Sequence, residues 1–210
     1  MPSAEISKYF EATELRDTRD ELKLGVSLVE GPRTAIDCGC GAGSDIAFLR
    51  ANGFAVHAFD IEPEAIARCK KRFRGDDHVS LSQDSFSTFH YPSASLIVAD
   101  ASLFFCPEHE FADVWDNICS ALLPGGVFVG SFLGPEDTMA GPGYDRCAFW
   151  PDVLVAREQI VKEWLEPFEI ISFTEHRKSG TAPGGNHHRW HIYSVVARKE
   201  FDKTMHSTSP

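Results

Sequence analysis

Short apolar runs alternate with stretches of helical periodicity along most of the chain. TAIDC at residues 34–38 is apolar and closes on an acid and a thiol, which predicts a short buried strand. SDIAFLRANG follows with Ile46, Phe48 and Leu49 apolar and Gly53 as a stop signal, so a helix is expected there. FAVHAFD reads as a second strand, and EPEAIARCKKRF as a helix with Pro63 in its first turn and Ile66, Cys69 and Phe73 on one face. HVSLSQ and ASLIVA give a third and a fourth strand. EFADVWDNICSALL is amphipathic through Phe111, Val114, Trp115, Ile118, Leu122 and Leu123, and GGVFVGSFLG is a fifth strand. The strands are apolar on both faces, as parallel strands covered by helices must be. An open α/β sheet follows.

The pattern then changes. PFEIISFTEH and HRWHIYSVVARK are two strands with only RKSGTAPGGNH between them. A connection that short joins antiparallel neighbours. Residues 1–30 read as one or two amphipathic helices, residues 1–200 as a single domain, and the tail 201–210 as disordered.

Composition narrows the partners. The chain has 210 residues and a formal net charge of −11, which repels nucleic acid and anionic lipid. Its six cysteines are scattered, without the spacing of a disulfide framework or a zinc site. The charged N-terminus lacks an apolar signal core, and no run is long enough to span a bilayer. A soluble, cytoplasmic protein without metal is expected.

The chemistry centres on DCGCGAG, where Gly39, Gly41 and Gly43 follow Asp37 at a strand end. Glycines there let a ligand touch the main chain, and the next helix offers free N–H groups. The dinucleotide fingerprint needs a glycine where this chain has Ser44. An acid at the strand end sits poorly beside a pyrophosphate and well beside an ammonium group. DCGCGAG is similar to the first motif of the class I S-adenosylmethionine-dependent methyltransferases, VHAFDIEPEAI to the second, LSQDSF to the third, and LLPGGVF to the family's entry into strand five. Ser95 departs from the acid many relatives carry at the start of strand four.

The resemblance implies a Rossmann-like, seven-stranded, mostly parallel sheet with an antiparallel last strand and helices on both faces. It implies S-adenosyl-L-methionine as cofactor, held by Asp37, Gly39, Cys40, Gly41, Gly43, Asp60, Ile61, Asp84, Ser85 and Asp100. Asp60 would take the ribose hydroxyls and Asp84 the adenine amino group. The activity implied is direct methyl transfer to a small molecule, loosely similar to the tellurite-resistance group. A non-catalytic cofactor-binding protein and a nicotinamide-dependent oxidoreductase are the alternatives.

Positioning alone suffices for such a transfer, so no triad is required. Beyond strand four, Ala101, Ser102 and Phe104 or Phe105 are expected near the reacting end. Strand six ends at His176 and Arg177, where the topology places it beside the start of strand seven. His188 and Trp190 should share one face there, with His187, Arg189 and His191 on the other. Together with Tyr144 these are the substrate-side candidates, and their cations would suit an anionic acceptor; a metal site and an exposed hairpin start that merely tolerates histidine are the other readings of the cluster. The Gly/Pro-rich segment 134–151, with Met139, Phe149 and Trp150, is a candidate lid, and Tyr9 and Arg16 are candidates on an N-terminal cover.

Overall fold

The computed structural model describes residues 4–144, 151, 153–182 and 185–200. Two helices lead, α1 (Ala4–Thr13) and α2 (Asp20–Leu28), followed by β1 (Thr34–Cys38), α3 (Ser44–Ala51), β2 (Ala55–Asp60), α4 (Pro63–Arg72), β3 (Val79–Gln83) and β4 (Ala94–Ala99). Then come a 3-10 turn (Leu103–Phe105), α5 (Glu108–Ala121), β5 (Leu122–Leu133), a second 3-10 turn (Thr138–Ala140), α6 (Glu158–Trp164), β6 (Phe168–Thr181) and β7 (His187–Lys199). The strands form one seven-stranded sheet in the order β3-β2-β1-β4-β5-β7-β6. β7 runs antiparallel to both its neighbours, and the other neighbouring pairs are parallel.

Both faces of the sheet are buried, and the strand residues sort between them by alternation. Leu96, Val98, Val127 and Val129 join the layer under α2, α3 and α4. Ile97, Ala99, Phe128 and Phe132 join the layer under α5 and α6. That second layer is aromatic: Trp115 sits edge-on to Phe128 with centroids 5.1 Å apart, and its indole N–H donates to the Trp164 carbonyl at 3.1 Å. Each such large side chain contributes roughly 1.5–3 kcal/mol by leaving water.

Three expectations are corrected. α5 ends at Ala121, so Leu122 and Leu123 belong to β5, whose register slips between the Ala94 and Leu96 pairings. α6 was not expected; its seven residues include a single buried one, Val161, too weak an apolar face to declare a helix. β6 does not end at His176 and Arg177 but runs on to Thr181, paired with β7 down to His187. Its outer half is mostly exposed, so the main-chain ladder extends it without an apolar signal. The expected disordered tail lies outside the described residues, as do Phe149 and Trp150 of the expected lid. Among the described residues no helix is long and apolar enough to cross a membrane.

Ser95, the departure from the family pattern, has a structural role. Its hydroxyl donates to the Pro32 carbonyl at 2.6 Å, tying the entry of β4 to that of β1.

Candidate functional site

The carboxyl ends of β1, β2, β3 and β4 open onto a cavity of about 370 Å³. Beyond β1, Gly39, Gly41 and Gly43 have φ of +74°, +52° and +81°, a conformation costly for side chains. A Cβ on Gly39 would lie 2.6 Å from Ser102 Cβ, so the turn and the loop after β4 touch there. Ser102 fixes that contact by donating its hydroxyl to the Cys38 carbonyl at 2.6 Å.

Asp60 closes β2, almost wholly buried at the cavity wall. Its Oδ2 accepts the Gly41 N–H at 2.8 Å and its Oδ1 the Glu62 N–H at 2.9 Å. The carboxylate is thereby aimed, with acceptor capacity left on both oxygens. Burial pushes its pKa up, opposed by the backbone N–H groups. Beyond β3, Asp84 accepts the Thr88 hydroxyl at 3.1 Å, and Ser85 bonds to Ser87 and Thr88. Ile61, 44% exposed, offers an apolar side chain to the same cavity.

At the β4 end, Ala101 is the one described non-glycine residue with positive φ, +53°. Its N–H donates to Ser131 Oγ at 2.7 Å, which holds this strained residue at the cavity wall. Asp100 beside it is paired with Arg19 at 2.8 Å and lies 3.8 Å from Arg16. Arg16 also bonds Asp45 at 2.7 Å and Ser44 Oγ at 3.1 Å. No side chain caps the N-terminus of α3, where Ser44 and Asp45 lie.

The lid over this floor is α1. Ile6, Tyr9, Phe10, Thr13 and Arg16 all line the cavity. Ser7 donates to Glu64 at 2.6 Å, Arg68 reaches Glu14 at 3.3 Å, and Arg72 reaches the Glu14 carbonyl at 2.9 Å, so the helix and the turn after it are strapped to α4. Burial pushes the Tyr9 phenol pKa up.

Of the residues expected at the cofactor, Gly39, Cys40, Gly41, Asp60, Ile61, Asp84, Ser85 and Asp100 line the cavity. Asp37 and Gly43 do not. Gly43 makes room for α4: a Cβ there would fall 2.8 Å from the Phe73 ring and 3.0 Å from Cys69 Sγ. Asp37 lies behind the turn, with Oδ2 buried and without a hydrogen-bond partner. Burial and the nearby Asp45 push its pKa well up. Among the substrate-side residues, Ala101, Ser102 and Phe105 line the cavity, as do Tyr9 and Arg16; Phe104 is buried outside it.

The described cavity does not take in the hairpin candidates. His176, Arg177, His188 and Trp190 are not among the lining residues, nor is Tyr144, which closes a turn on the Gly141 carbonyl. His176 faces Glu21 of α2 at 3.6 Å, and Arg177 is taken up by Glu136 and Glu175. His188 bonds the buried Asp137 at 3.0 Å and stacks on Trp190. His191 bonds Glu175 at 2.8 Å. Among the described lining residues the one cation is Arg16, already paired, so the reason for expecting an anionic acceptor falls away. No group of three or more metal-ligating side chains is present among the described residues. Sequence reasoning missed Ile6, Phe10, Thr13, Asp45 and Glu110 as lining residues. The helical spacing of Ile6, Tyr9, Phe10 and Thr13 was the available signal.

Residues 35–126 match a family model described as a methyltransferase domain. Over 100 residues the chain is 27% identical to a carboxy-S-adenosyl-L-methionine synthase of Psychromonas ingrahamii, covering 44% of this chain and 41% of that one. The chain thus matches less than half the length of this curated relative. TehB from Haemophilus influenzae superposes on 93% of this chain and 67% of its own with a TM-score of 0.72 at 15% identity. NodS, an N-methyltransferase from Bradyrhizobium japonicum solved with S-adenosyl-L-homocysteine, superposes on 91% of this chain and 98% of its own with a TM-score of 0.62 at 19% identity. The fold is that of these proteins, and over residues 35–126 the resemblance to the class I S-adenosylmethionine-dependent methyltransferases is matched by the family model.

Proposed function

We propose, from a methyltransferase domain at residues 35–126 set within a class I sheet, that this chain is an S-adenosylmethionine-dependent methyltransferase acting on a small-molecule acceptor. The observation that carries the proposal is the rim of the cavity. Bare main chain at Gly39 and Gly41, the aimed carboxylate of Asp60, and Asp84 with Ser85 follow one another across β1, β2 and β3. That order suits, in turn, an amino-acid end, a ribose diol and an adenine.

When bound, the cofactor supplies a methyl group activated on a sulfonium. The residues of this chain bind, orient and exclude water. Asp60 would accept the two ribose hydroxyls on the lone pairs its backbone donors leave free. Ile61 would offer the base an apolar contact, and Asp84 would accept from its amino group. The free N–H groups at the start of α3 would receive the carboxylate of the amino-acid end. Asp100 at the wall and Asp37 behind the turn would stabilise its ammonium. The α1 side chains close the top, and the loop from Ala101 to Phe105 flanks the place where an acceptor must sit. Alignment in such an enclosed site can supply on the order of 7–11 kcal/mol of the barrier without a dedicated base.

Two measurements test this. Calorimetry should detect S-adenosylhomocysteine binding and none for a nicotinamide dinucleotide; the reverse preference defeats the proposal. Incubation with labelled cofactor and a panel of amines, thiols, acids and oxyanions should label at least one of them. Binding without transfer would favour a cofactor-binding protein without catalysis. The curated relative's name raises a second reading, in which the product is a nucleoside heavier by a carboxyl group, and mass spectrometry of the nucleoside pool separates the two.

A further inference from the structure

We infer that Cys40 and Cys69 are a site of oxidative modification, and that joining them shuts the cavity to its cofactor. The second half of this inference rests on the proposed function; the first does not. The two sulfurs lie 4.0 Å apart, one in the glycine turn and one on α4. Cys40 lines the cavity, whereas Cys69 is wholly buried behind it. A small oxidant entering the cavity therefore meets Cys40 first, and the resolving thiol already stands in contact with it.

The reaction balances with hydrogen peroxide as oxidant. The Cys40 thiol gives up its proton and its sulfur attacks one peroxide oxygen. The O–O bond breaks, one oxygen leaves as water, and the sulfur carries a hydroxyl as a sulfenic acid. The Cys69 sulfur then attacks the Cys40 sulfur, the S–O bond breaks, and the hydroxyl leaves with the Cys69 proton as a second water. Two thiols become one disulfide and one peroxide becomes two waters. A hydrogen bond with Cys69 and burial push the Cys40 thiol pKa well up, so the step needs sustained peroxide.

A disulfide holds its sulfurs about 2 Å apart, so the pair must close by roughly 2 Å. The helix side resists this. Cys69 sits in α4 beside Gly43, and α4 is anchored in the core by the buried Ile66 and Cys69. The turn side has glycines at 39 and 41, both at positive φ. The turn moves, and with it the Gly41 N–H that orients Asp60 and the Gly41 carbonyl that accepts from Cys69 at 3.4 Å. The main chain that faces the cofactor and the carboxylate beneath it are displaced together.

The experiment treats the whole chain with millimolar hydrogen peroxide, blocks remaining thiols with iodoacetamide, and maps peptides by mass. We expect a peptide pair joined through Cys40 and Cys69 and protected thiols at neither position. Saturating S-adenosylhomocysteine should slow its formation. Calorimetry should find affinity for S-adenosylhomocysteine lowered by about tenfold or more after oxidation and restored by dithiothreitol. Cys69→Ala should form no link and should lose no affinity that dithiothreitol restores. Free, alkylatable Cys40 and Cys69 after treatment overturn the inference, as does a formed link that leaves affinity unchanged. If the reduced protein binds no S-adenosylhomocysteine while the link still forms, the modification site stands and the proposed function fails.

Discussion

Asp60 and Asp37 are both buried acids at strand ends, yet the structure gives them opposite surroundings. Asp60 accepts two backbone N–H groups and faces the cavity; Asp37 keeps one oxygen without a partner behind it. Asp60→Ala should weaken S-adenosylhomocysteine binding by ~1.5–3 kcal/mol, the worth of hydrogen bonds to a charged acceptor, and calorimetry reads it. Because burial raises the Asp60 pKa, its acceptor form is lost on acidification earlier than for an ordinary aspartate, so affinity should fall as the pH is lowered through that raised value. Asp37→Asn should act in two directions. A carboxyl whose pKa is raised on folding stabilises the fold below its unfolded pKa and loses that contribution as the pH rises through the folded one. Above the unfolded pKa the raised folded pKa is therefore a cost to the empty fold, and replacing the carboxyl by an amide should raise Tm by ~2–4 °C. The same change should weaken binding of an ammonium-bearing ligand. A Tm that falls would mean that Asp37 is satisfied in the empty protein.

At the scale of elements, the site is a floor of strand ends and a lid of one helix. The floor is close-packed where Gly39 meets Ser102. Gly39→Ala adds a Cβ at 2.6 Å from Ser102 Cβ and forces a side chain into positive φ, so it should cost ~2 kcal/mol or more in denaturant unfolding and abolish detectable nucleoside binding. The lid is held differently. α1 has few apolar anchors, Ile6 and Phe10 above all, and it and the turn after it rely on the exposed or half-exposed pairs of Glu11 and Glu14 with Arg68, which contribute little each. Amide exchange in residues 6–16 should therefore be much faster than in the buried strand β4, and ligand binding should slow it; equal protection with and without ligand would argue against a lid.

At the scale of the molecule, the surface carries a net charge of −11 and the cavity wall includes Asp45, Asp60, Glu62, Asp84, Asp100 and Glu110 against Arg16. S-adenosylmethionine bears one positive charge more than its demethylated product. Its affinity should fall more steeply with salt than that of S-adenosylhomocysteine, measured by calorimetry from low to high sodium chloride. Parallel salt dependence would mean that the wall exerts no net field on the sulfonium. The hairpin of β6 and β7 adds no side chain to the described cavity wall, and its His176, Arg177, His188 and His191 face Glu21, Glu136, Asp137 and Glu175.

The sequence by itself determined the alternation of strands and helices, the antiparallel closing pair and most of the cavity rim. Those features are local. Apolar spacing, a glycine turn and an acid at a strand end are each written within a few residues, and the parallel sheet places consecutive strand ends side by side. Tertiary structure alone decided which expected residues reach the cavity. Gly43 faces α4 because that helix packs within 3.0 Å of where its Cβ would be, and His176 and Arg177 are engaged by Glu21 and Glu136, far away in the chain. The cover over the site was decided in the same way, since α1 is set by long-range pairs such as Ser7 with Glu64 and Arg16 with Asp45. A pairing between distant residues leaves no trace in the spacing of either one.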